Sequence, residues 1–266
     1  MPLEGKNAVI YGGGGAIGGA VARHFARDGA RVFLAGRTIA TLDAVAAEIT
    51  AHGGRAETAR VDVFDSDAVE AHAEAVAATA GGIDIALNAV SVMHDQGTTL
   101  AGLSIAEFMR PVDGFLRSLF ITSKAVARHM GGDRPGVILT LSEPGAKLAM
   151  PGLLGHAASA AAKEAFTRVL AAELAPAGVR VVGIRPHAVA DAPAAGSYTG
   201  ELFAPMAAAS GLSVPEFLDG ALAGGTMLKR LPELAEIAEM AAFLASGRAR
   251  NVTGTIVNLS GGALVD

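Results

Sequence analysis

NAVIYGGGGAIG, residues 7–18, joins a short apolar run to a cluster of glycines. The residues that follow place Val21, Phe25 and Ala26 on one helical face, so the sequence predicts a strand, a glycine turn and a helix. Glycine lets a backbone turn tightly and approach a pyrophosphate closely, while the start of the helix offers free N–H groups to phosphate oxygens. A flexible turn is the plainer interpretation. A turn in this position, between a strand and a helix, favours a dinucleotide-binding site.

The rest of the chain alternates short β-branched or apolar segments with longer alanine-rich segments. This alternation is typical of βαβ units and predicts the doubly wound α/β class, a parallel sheet with helices on both faces. Residues 191–226 interrupt it with prolines and glycines, and we expect this insertion to form a lid. One domain is expected over residues 1–266. The predicted strands are residues 7–11, 31–35, 56–61, 83–88, 136–141, 179–184 and 255–259.

Composition and charge argue against several classes of protein. A net charge of -5 gives no reason to expect a nucleic acid or an anionic membrane as partner. The chain has no cysteine, which rules out disulfides and thiolate chemistry. It has no uninterrupted apolar stretch of about 18 residues, the length needed to cross a membrane, and its first residues do not resemble a signal peptide. We therefore expect a cytoplasmic protein whose partner is a small-molecule substrate.

Arg37 follows the second predicted strand, where dinucleotide-binding proteins carry the residue that contacts the adenosine ribose. An acid there favours NAD, whereas an arginine favours the 2′-phosphate of NADP. Arg37 therefore favours NADP(H), with NAD as the alternative, although it could instead be a solvated residue at the start of a helix. Asp62 closes the third strand, where it could meet the adenine amino group or cap the next helix.

Further motifs carry a resemblance that covers nearly the whole chain. Residues 83–90, IDIALNAV, are similar to a fourth-strand motif that ends in two asparagines, alanine and glycine, of which Asn88 is kept. Residues 178–186, GVRVVGIRP, look like the sixth strand of the same family, with His187 in place of the usual glycine. Together with the glycine turn and the glycine pair at residues 261–262, these motifs resemble the short-chain dehydrogenase/reductase family.

The resemblance implies a Rossmann fold, a nicotinamide cofactor and hydride transfer to or from a small carbonyl, alcohol or activated alkene. It also implies a homo-oligomer, a tetramer or a dimer, built by the helices near residues 107–130 and 152–175, although an alanine-rich helix inside a monomer would look the same. The residues expected at the cofactor are Gly12, Gly14, Gly15, Ala16, Ile17, Gly18, Arg37, Asp62, Val63, Asn88, Pro186 and His187.

The catalytic positions depart from the pattern of that family. Its members use a serine to hold the substrate oxygen, a tyrosine to move a proton, a lysine to lower the pKa of the tyrosine, and an asparagine to complete a proton path. Lys163 lies seven residues after the tyrosine position, a spacing that resembles enoyl-acyl-carrier-protein reductases. It stands three residues late relative to the strand that follows, and we interpret the spacing as a coincidence. The asparagine, serine, tyrosine and lysine positions hold Phe115, Glu143, His156 and Ala160.

Some polar residues remain for chemistry, and His156 is the best candidate acid or base because imidazole titrates near neutral pH. It could instead face a cavity or cap a helix. Ser142 and Glu143 end the fifth strand, where open sheets place ligands, so either could bond to a substrate. Glu143 could instead pair with Lys147. The candidate catalytic residues are therefore His156, Ser142, Glu143 and Lys163.

Other polar side chains fall on the same edge of the predicted sheet. His94 and His187 do so, but their spacing fits no compact ligand pattern, and no metal is expected. Tyr198, in the predicted lid, could supply a phenol from another direction. Two functions remain open: an NADP(H)-dependent oxidoreductase with a non-standard proton donor such as His156, and a non-catalytic or regulatory protein that keeps the cofactor as a structural ligand.

Overall fold

The centre of the protein is a sheet of seven parallel strands in a computed structural model that describes residues 1–132 and 134–266. The strands are β1 (Asn7–Tyr11), β2 (Arg31–Gly36), β3 (Arg55–Arg60), β4 (Ile85–Asn88), β5 (Gly136–Leu141), β6 (Val179–Pro186) and β7 (Thr255–Leu259). Their order is β3-β2-β1-β4-β5-β6-β7, so the chain reverses its direction of winding between β1 and β4. The predicted doubly wound α/β fold is confirmed.

Helices connect the strands and cover both faces of the sheet. They are α1 (Ala16–Arg27), α2 (Ile39–Ala51), α3 (Ser66–Ala80), α4 (Ile105–Ala127), α5 (Leu154–Leu174), α6 (Thr199–Ala209), α7 (Val214–Glu216) and α8 (Leu234–Ala245). A π-helical turn, Phe217–Leu222, continues α7, and short 3-10 helices occur at Pro144–Ala146, Ala175–Ala177 and Gly247–Ala249. In the described part of the chain, no helix is long and apolar enough to cross a membrane.

Alternate residues of β1 pack into the two halves of the core. Ala8 and Ile10 join an apolar cluster with α1, α2 and α8, whereas Val9 and Tyr11 join a second cluster with α3, α4 and α5. Successive side chains of a strand point to opposite faces, and here helices cover both faces. All five residues of β1 are therefore buried.

β1, β5 and β7 have the predicted bounds, and the other four strands differ from the predicted ones by one or two residues at their ends. β4 begins at Ile85, two residues later than expected. The buried carboxylate of Asp84, just before it, accepts a hydrogen bond from the Asn7 N–H at 2.8 Å and pairs with Arg134 at 2.9 Å. β6 runs two residues further than expected, to Pro186, since its last residues pair with β7. Such tertiary contacts leave no local pattern in the sequence.

Residues 191–226 connect β6 to α8 and contain α6, α7 and the π-helical turn. Leu218, Ala223 and the following Leu231 form a small apolar cluster, which gives this segment its own packing. Of the prolines of the segment, Pro193 lies in a turn before α6, Pro205 inside α6 and Pro215 at the start of α7. The predicted insertion is thus helical over much of its length.

Candidate active site

A cavity of about 400 Å³ opens at the carboxyl edge of the sheet, next to the point where β1 and β4 lie side by side. Open α/β sheets bind their ligands at this edge, where the strand order reverses. The glycine turn, the end of β4 and the loops after β5 and β6 line the cavity. Residues 191–226 complete the lining, with Tyr198, Leu202 and Phe203 among them.

The glycine turn lies so close to its neighbours that side chains do not fit. Gly12 has a φ of +81°, and a Cβ on it would lie 2.5 Å from the Ala89 carbonyl oxygen. A Cβ on Gly18 would collide with the Gly12 carbonyl oxygen, and one on Gly14 would collide with Thr41 of α2. The turn therefore presents bare backbone beside the cavity.

α1 begins directly after this turn. Among the described residues, no side chain caps its N-terminus at Gly15. The first N–H groups of a helix have no partner within the helix, and its dipole favours a negative charge at this end. Gly15, Ala16 and Ile17 also line the cavity. The bare turn and the uncapped helix start together fit the pyrophosphate of a dinucleotide.

Residues expected to contact the adenosine half follow β2 and β3. Arg37 is exposed directly after β2, where its guanidinium is accessible to a phosphate. Asp62 is also exposed, and its Oδ1 accepts a hydrogen bond from the Phe64 N–H at 3.1 Å. The alternative that Asp62 caps the next helix is wrong, because Asp65 accepts the hydrogen bonds of the first N–H groups of α3. Val63 is buried in the core.

Three further cofactor candidates, Asn88, Pro186 and His187, lie on the cavity wall. Asn88 donates from Nδ2 to the Thr122 Oγ1 at 2.9 Å, which fixes the end of β4 to α4. His187 accepts a hydrogen bond at Nδ1 from the Ala188 N–H at 2.7 Å. Burial lowers the pKa of His187, so its ring is neutral at pH 7. The structure thus brings these residues to the same cavity as the glycine turn.

Glu143 and Lys163 form an ion pair on the same wall, in which Lys163 Nζ donates to Glu143 Oε1 at 2.6 Å. The ammonium also lies 4.2 Å from the centre of the Phe115 ring, a cation–π contact. Only 6% of the Lys163 side chain is exposed, against 27% of the Glu143 side chain. The expected pair of Glu143 with Lys147 is wrong, because Lys147 pairs with Asp266.

The carboxylate of Glu143 is charged and only partly satisfied. Burial opposes its ionisation, but the Lys163 ammonium and the His156 ring outweigh burial, so the pKa of Glu143 lies below its usual range. Its second oxygen, Oε2, is buried and has no hydrogen-bond partner among the described residues. Buried polar atoms nearly always have a partner. Oε2 is therefore an open acceptor beside the cavity.

His156 lies next to His94, which comes from the loop after β4. His94 Nδ1 donates to the Val92 carbonyl oxygen at 2.7 Å, so in the neutral ring His94 Nε2 is an acceptor. His156 Nδ1 lies 3.1 Å from that atom, and in the tautomer in which it donates there, His156 Nε2 carries the lone pair. The side-chain amide of Gln96 lies within 3.2 Å of both rings. Sequence reasoning missed Gln96, for which no motif gave a signal.

Both imidazoles are neutral at pH 7. Burial lowers the pKa of His156 to about 4, although the carboxylate of Glu143 acts in the opposite direction. Burial also lowers the pKa of His94. Tyr198 lies nearby, with its ring centre 6.3 Å from that of His94, and burial together with Glu143 raises its pKa. Within residues 1–132 and 134–266, no group of three or more histidine, cysteine, aspartate or glutamate side chains is arranged to hold a metal ion.

Known proteins resemble this chain over nearly its full length. A family model described as enoyl-(acyl carrier protein) reductase matches residues 14–263. An uncharacterized oxidoreductase of Methylorubrum extorquens is 32% identical over 98% of each chain. The 7alpha-hydroxysteroid dehydrogenase of Escherichia coli K12 is 29% identical over 99% of this chain and 96% of its own. The chain belongs to the short-chain dehydrogenase/reductase family.

Solved structures agree with this membership. A short-chain dehydrogenase from Burkholderia cenocepacia, solved in complex with NADP, matches with a TM-score of 0.83 at 26% identity, and the match covers 99% of each chain. The resemblance inferred from the sequence motifs is confirmed, and the chain is an oxidoreductase of the short-chain dehydrogenase/reductase type.

The lysine position of the short-chain dehydrogenase/reductase family holds Ala160, which is fully buried on α5. Lys163 lies almost one helical turn further along, yet its ammonium reaches the cavity wall near His156. The structure thus brings Lys163 to the same wall as His156, although the sequence places it almost one turn late. Phe115, at the asparagine position, provides the ring against which the ammonium packs.

Ser142 lines the cavity, but its hydroxyl already has a partner. It donates to Glu164 Oε1 at 2.9 Å, and the same oxygen accepts from Arg185 Nε at 2.7 Å. Arg185 Nη1 also donates a hydrogen bond to Asp266 Oδ1 at 2.8 Å. This buried network joins α5, β6 and the end of the chain. Sequence reasoning missed it, because no spacing rule pairs residues that meet only across the sheet edge.

Proposed function

We propose that this chain is an NADP(H)-dependent oxidoreductase that transfers a hydride to or from a small carbonyl, alcohol or activated alkene. One observation carries the proposal: Gly15 of the glycine turn, the start of α1 and the polar cluster of Glu143, Lys163 and His156 line the same cavity. When bound, the cofactor supplies the hydride chemistry. The residues of the chain bind the cofactor, orient the substrate and move the proton.

The cofactor residues follow from the geometry of the cavity. The N–H groups at the start of α1 would bind the pyrophosphate, and the exposed Arg37 would bind the 2′-phosphate. Asn88, Pro186 and His187 line the part of the wall between the end of β4 and the loop after β6. The Burkholderia cenocepacia relative, which was solved with NADP, supports the choice of NADP(H).

His156 takes the place of the family tyrosine as the group that moves a proton. Its ring is neutral, and its orientation is fixed by the hydrogen bond to His94, whose other nitrogen is bound to the Val92 carbonyl. The free lone pair on Nε2 makes His156 a base, which would take the proton of an alcohol as that alcohol is oxidised. The Lys163 ammonium lowers the pKa of the carboxylate beside it and so keeps Glu143 ionised.

The assembly proposed for the protein is a homo-oligomer, a tetramer or a dimer, formed by α4 and α5. Both helices carry large apolar side chains exposed to solvent in the single chain, among them Ile105, Phe120, Leu154 and Val169. Exposed apolar surface of this kind marks an interface. The proposed location is the cytoplasm, because a chain without cysteine is compatible with a reducing compartment.

The first experiment measures cofactor binding and turnover. Titration calorimetry with NADPH and with NADH should show binding of both, with NADPH preferred. Oxidation of NADPH is then followed over a panel of ketones and enones. In the oxidation direction, with NADP⁺ and the corresponding alcohols, His156→Ala should lower turnover by about 10² to 10⁴, the usual contribution of a positioned base. His52→Ala, at an exposed position after α2, is the matched control and should leave turnover unchanged.

Two results would change the proposal. If NADPH bound but no compound of any class was turned over, the non-catalytic function would be favoured. If neither pyridine nucleotide bound, the enzyme proposal would be wrong. Equal turnover by wild type and His156→Ala would remove that residue from the mechanism and leave hydride transfer standing.

A further inference from the structure

We infer that the site accepts a protonated imine, and in reverse the corresponding amine, in preference to a ketone or an alcohol. The inference rests on the proposed function and narrows its substrate to a compound with a carbon–nitrogen bond at the reacting centre. It is carried by the charged Glu143 on the cavity wall, whose Oε2 has no hydrogen-bond partner among the described residues.

Reduction of a ketone requires hydrogen-bond donors around the reacting oxygen. Negative charge develops on that oxygen as the hydride arrives, and an enzyme stabilises it with donors or positive charge placed in advance. In this chain the family serine, a donor, is replaced by Glu143. An ionised carboxylate has no donor and repels a second negative charge. The position after β5 is therefore unsuited to an alkoxide.

Lys163 does not restore the missing positive charge at the substrate. Its ammonium is buried, donates to Glu143 Oε1 and packs against the Phe115 ring. The Glu143 side chain is 27% exposed and the Lys163 side chain 6%, and the exposed part of Glu143 lies on atoms other than the buried Oε2. A ligand in the cavity would therefore meet the Glu143 side chain before the ammonium.

The imidazoles and the phenol do not provide an acid either. The N–H of His94 is bound to the Val92 carbonyl, and in the tautomer in which His156 Nδ1 donates to His94, the free nitrogen of the pair, His156 Nε2, carries a lone pair. Burial lowers the pKa of His156 to about 4, which leaves no imidazolium at pH 7. Burial and Glu143 raise the pKa of Tyr198, which opposes proton donation from its phenol.

A protonated imine needs none of the missing groups. Its N–H can donate to Glu143 Oε2 or to His156 Nε2, and its positive charge is stabilised by the carboxylate. On reduction, the imine carbon gains the hydride of NADPH and the π pair of the C=N bond becomes the nitrogen lone pair. The nitrogen keeps the proton it brought, so the products are a neutral amine and NADP⁺. In the reverse direction His156 takes the proton of an ammonium substrate before the hydride leaves.

The remaining lining defines the substituents of this substrate. Apolar side chains from α4, from the loop after β5 and from residues 191–226 form most of the wall. Burial of apolar groups is favourable by about 25 cal/mol per Å², so a substrate with hydrocarbon substituents gains affinity there. The lining residues used for this inference are Leu119, Leu148, Leu153, Leu202, Phe203 and Met206.

The first test compares substrates on the unmodified protein, so it does not depend on a variant that folds. NADPH oxidation is measured with 3,4-dihydroisoquinoline, with N-methyl-3,4-dihydroisoquinolinium, and with 2-tetralone, a ketone of similar size. Both imine probes should be reduced, with kcat/KM at least about tenfold above that of the ketone, which corresponds to one charge-assisted contact. The methylated probe cannot donate a hydrogen bond, so its reduction would show that charge itself is recognised.

The second test removes the charge of Glu143. Glu143→Gln should lower kcat/KM for both imine probes by about tenfold to hundredfold. Glu143→Ser, which restores the family residue, should lower the ratio of imine to ketone turnover. Glu173→Gln makes the same chemical change at an exposed position of α5 and should change neither activity.

A binding measurement gives a readout that does not depend on turnover. Calorimetry with the inert cation 2,2-dimethyl-1,2,3,4-tetrahydroisoquinolinium, added to protein saturated with NADP⁺, should show binding that Glu143→Gln weakens about tenfold or more. Oxidation of NADPH by the ketone but not by the imines, or equal affinity of both proteins for the cation, would overturn the inference and leave the oxidoreductase proposal intact. Failure to bind NADPH at all would overturn both.

Discussion

His156 is a buried histidine, and this burial changes how the protein responds to acid. Its pKa is lowered to about 4, whereas in the unfolded chain a histidine titrates near its ordinary value of about 6.5. Between these two values the unfolded chain binds a proton that the folded protein does not bind. The free energy of unfolding should therefore fall by about 3 kcal/mol through this residue as the pH drops from about 6.5 to 4.

Urea unfolding at pH 7 and pH 4.5 checks this acid sensitivity. His156→Gln should lose less free energy of unfolding between the two pH values than wild type, because its side chain does not titrate. His52→Gln, at an exposed position, should behave as wild type. His94 and His187 also have lowered pKa values, so part of the loss should remain. An unchanged loss in His156→Gln would contradict the neutral state of the buried ring.

Arg37 is the residue on which we propose that the choice between NADP(H) and NAD(H) depends. Arg37→Ala should weaken NADPH binding by about tenfold to hundredfold, since a charge-assisted contact to phosphate is lost, and should leave NADH binding unchanged. Arg55→Ala serves as the control, because Arg55 is exposed at the start of β3, whereas Arg37 follows the end of the parallel strand β2. Titration calorimetry with both nucleotides is the measurement. A parallel loss for NADPH and NADH would show that Arg37 does not read the 2′-phosphate.

At the scale of elements, the junction of β1 and α1 depends on glycines that no other residue can replace. A Cβ added at Gly18 would meet the Gly12 carbonyl oxygen, so Gly18→Ala must move the turn away from α1. Overpacking of this kind costs about 1–3 kcal/mol of stability, and the shifted backbone should also weaken NADPH binding. Thermal unfolding and calorimetry on the same sample would show both effects.

Gly220→Ala is the control for that substitution. It lies in the π-helical turn, and no described atom lies within 4 Å of where its Cβ would be. Stability and cofactor affinity should be close to wild type. A Gly18→Ala protein that bound NADPH with unchanged affinity would show that the turn is not the pyrophosphate site.

The elements themselves could be predicted from sequence because their signals are local. The apolar run at residues 7–11 and the glycines after it give β1, its turn and α1 within a single stretch. The site could be predicted only in part. The contact of Lys163 with Glu143 was not predicted. The position of Lys163 was counted along the helix, whereas a long side chain can reach back by a turn. Gln96 and the Asp84 contacts depend on segments that meet only in the folded chain.

At the scale of the whole molecule, the proposed oligomer depends on the outer faces of α4 and α5. Phe120→Glu and Val169→Glu place a charge on apolar positions that are exposed in the single chain. Either substitution should dissociate the proposed oligomer, because burying an unpaired charge at an interface is unfavourable. Light scattering should then report the mass of one chain. Leu228→Glu, an exposed apolar residue outside both helices, should leave the mass unchanged.

If wild type itself scattered as a single chain, the assembly proposal would be wrong, and the apolar faces of α4 and α5 would need another partner. The oxidoreductase proposal would stand, because the lining of the cavity comes from one chain alone.

The position of Tyr198 has a spectroscopic consequence. The chain has no tryptophan and only two tyrosines, and Tyr11 is enclosed in the core of the sheet. Tyr198 is on the wall of the cavity. A change in tyrosine fluorescence when a small molecule enters the cavity would therefore originate from Tyr198. The unlabelled protein thus reports binding in the cavity through its own fluorescence.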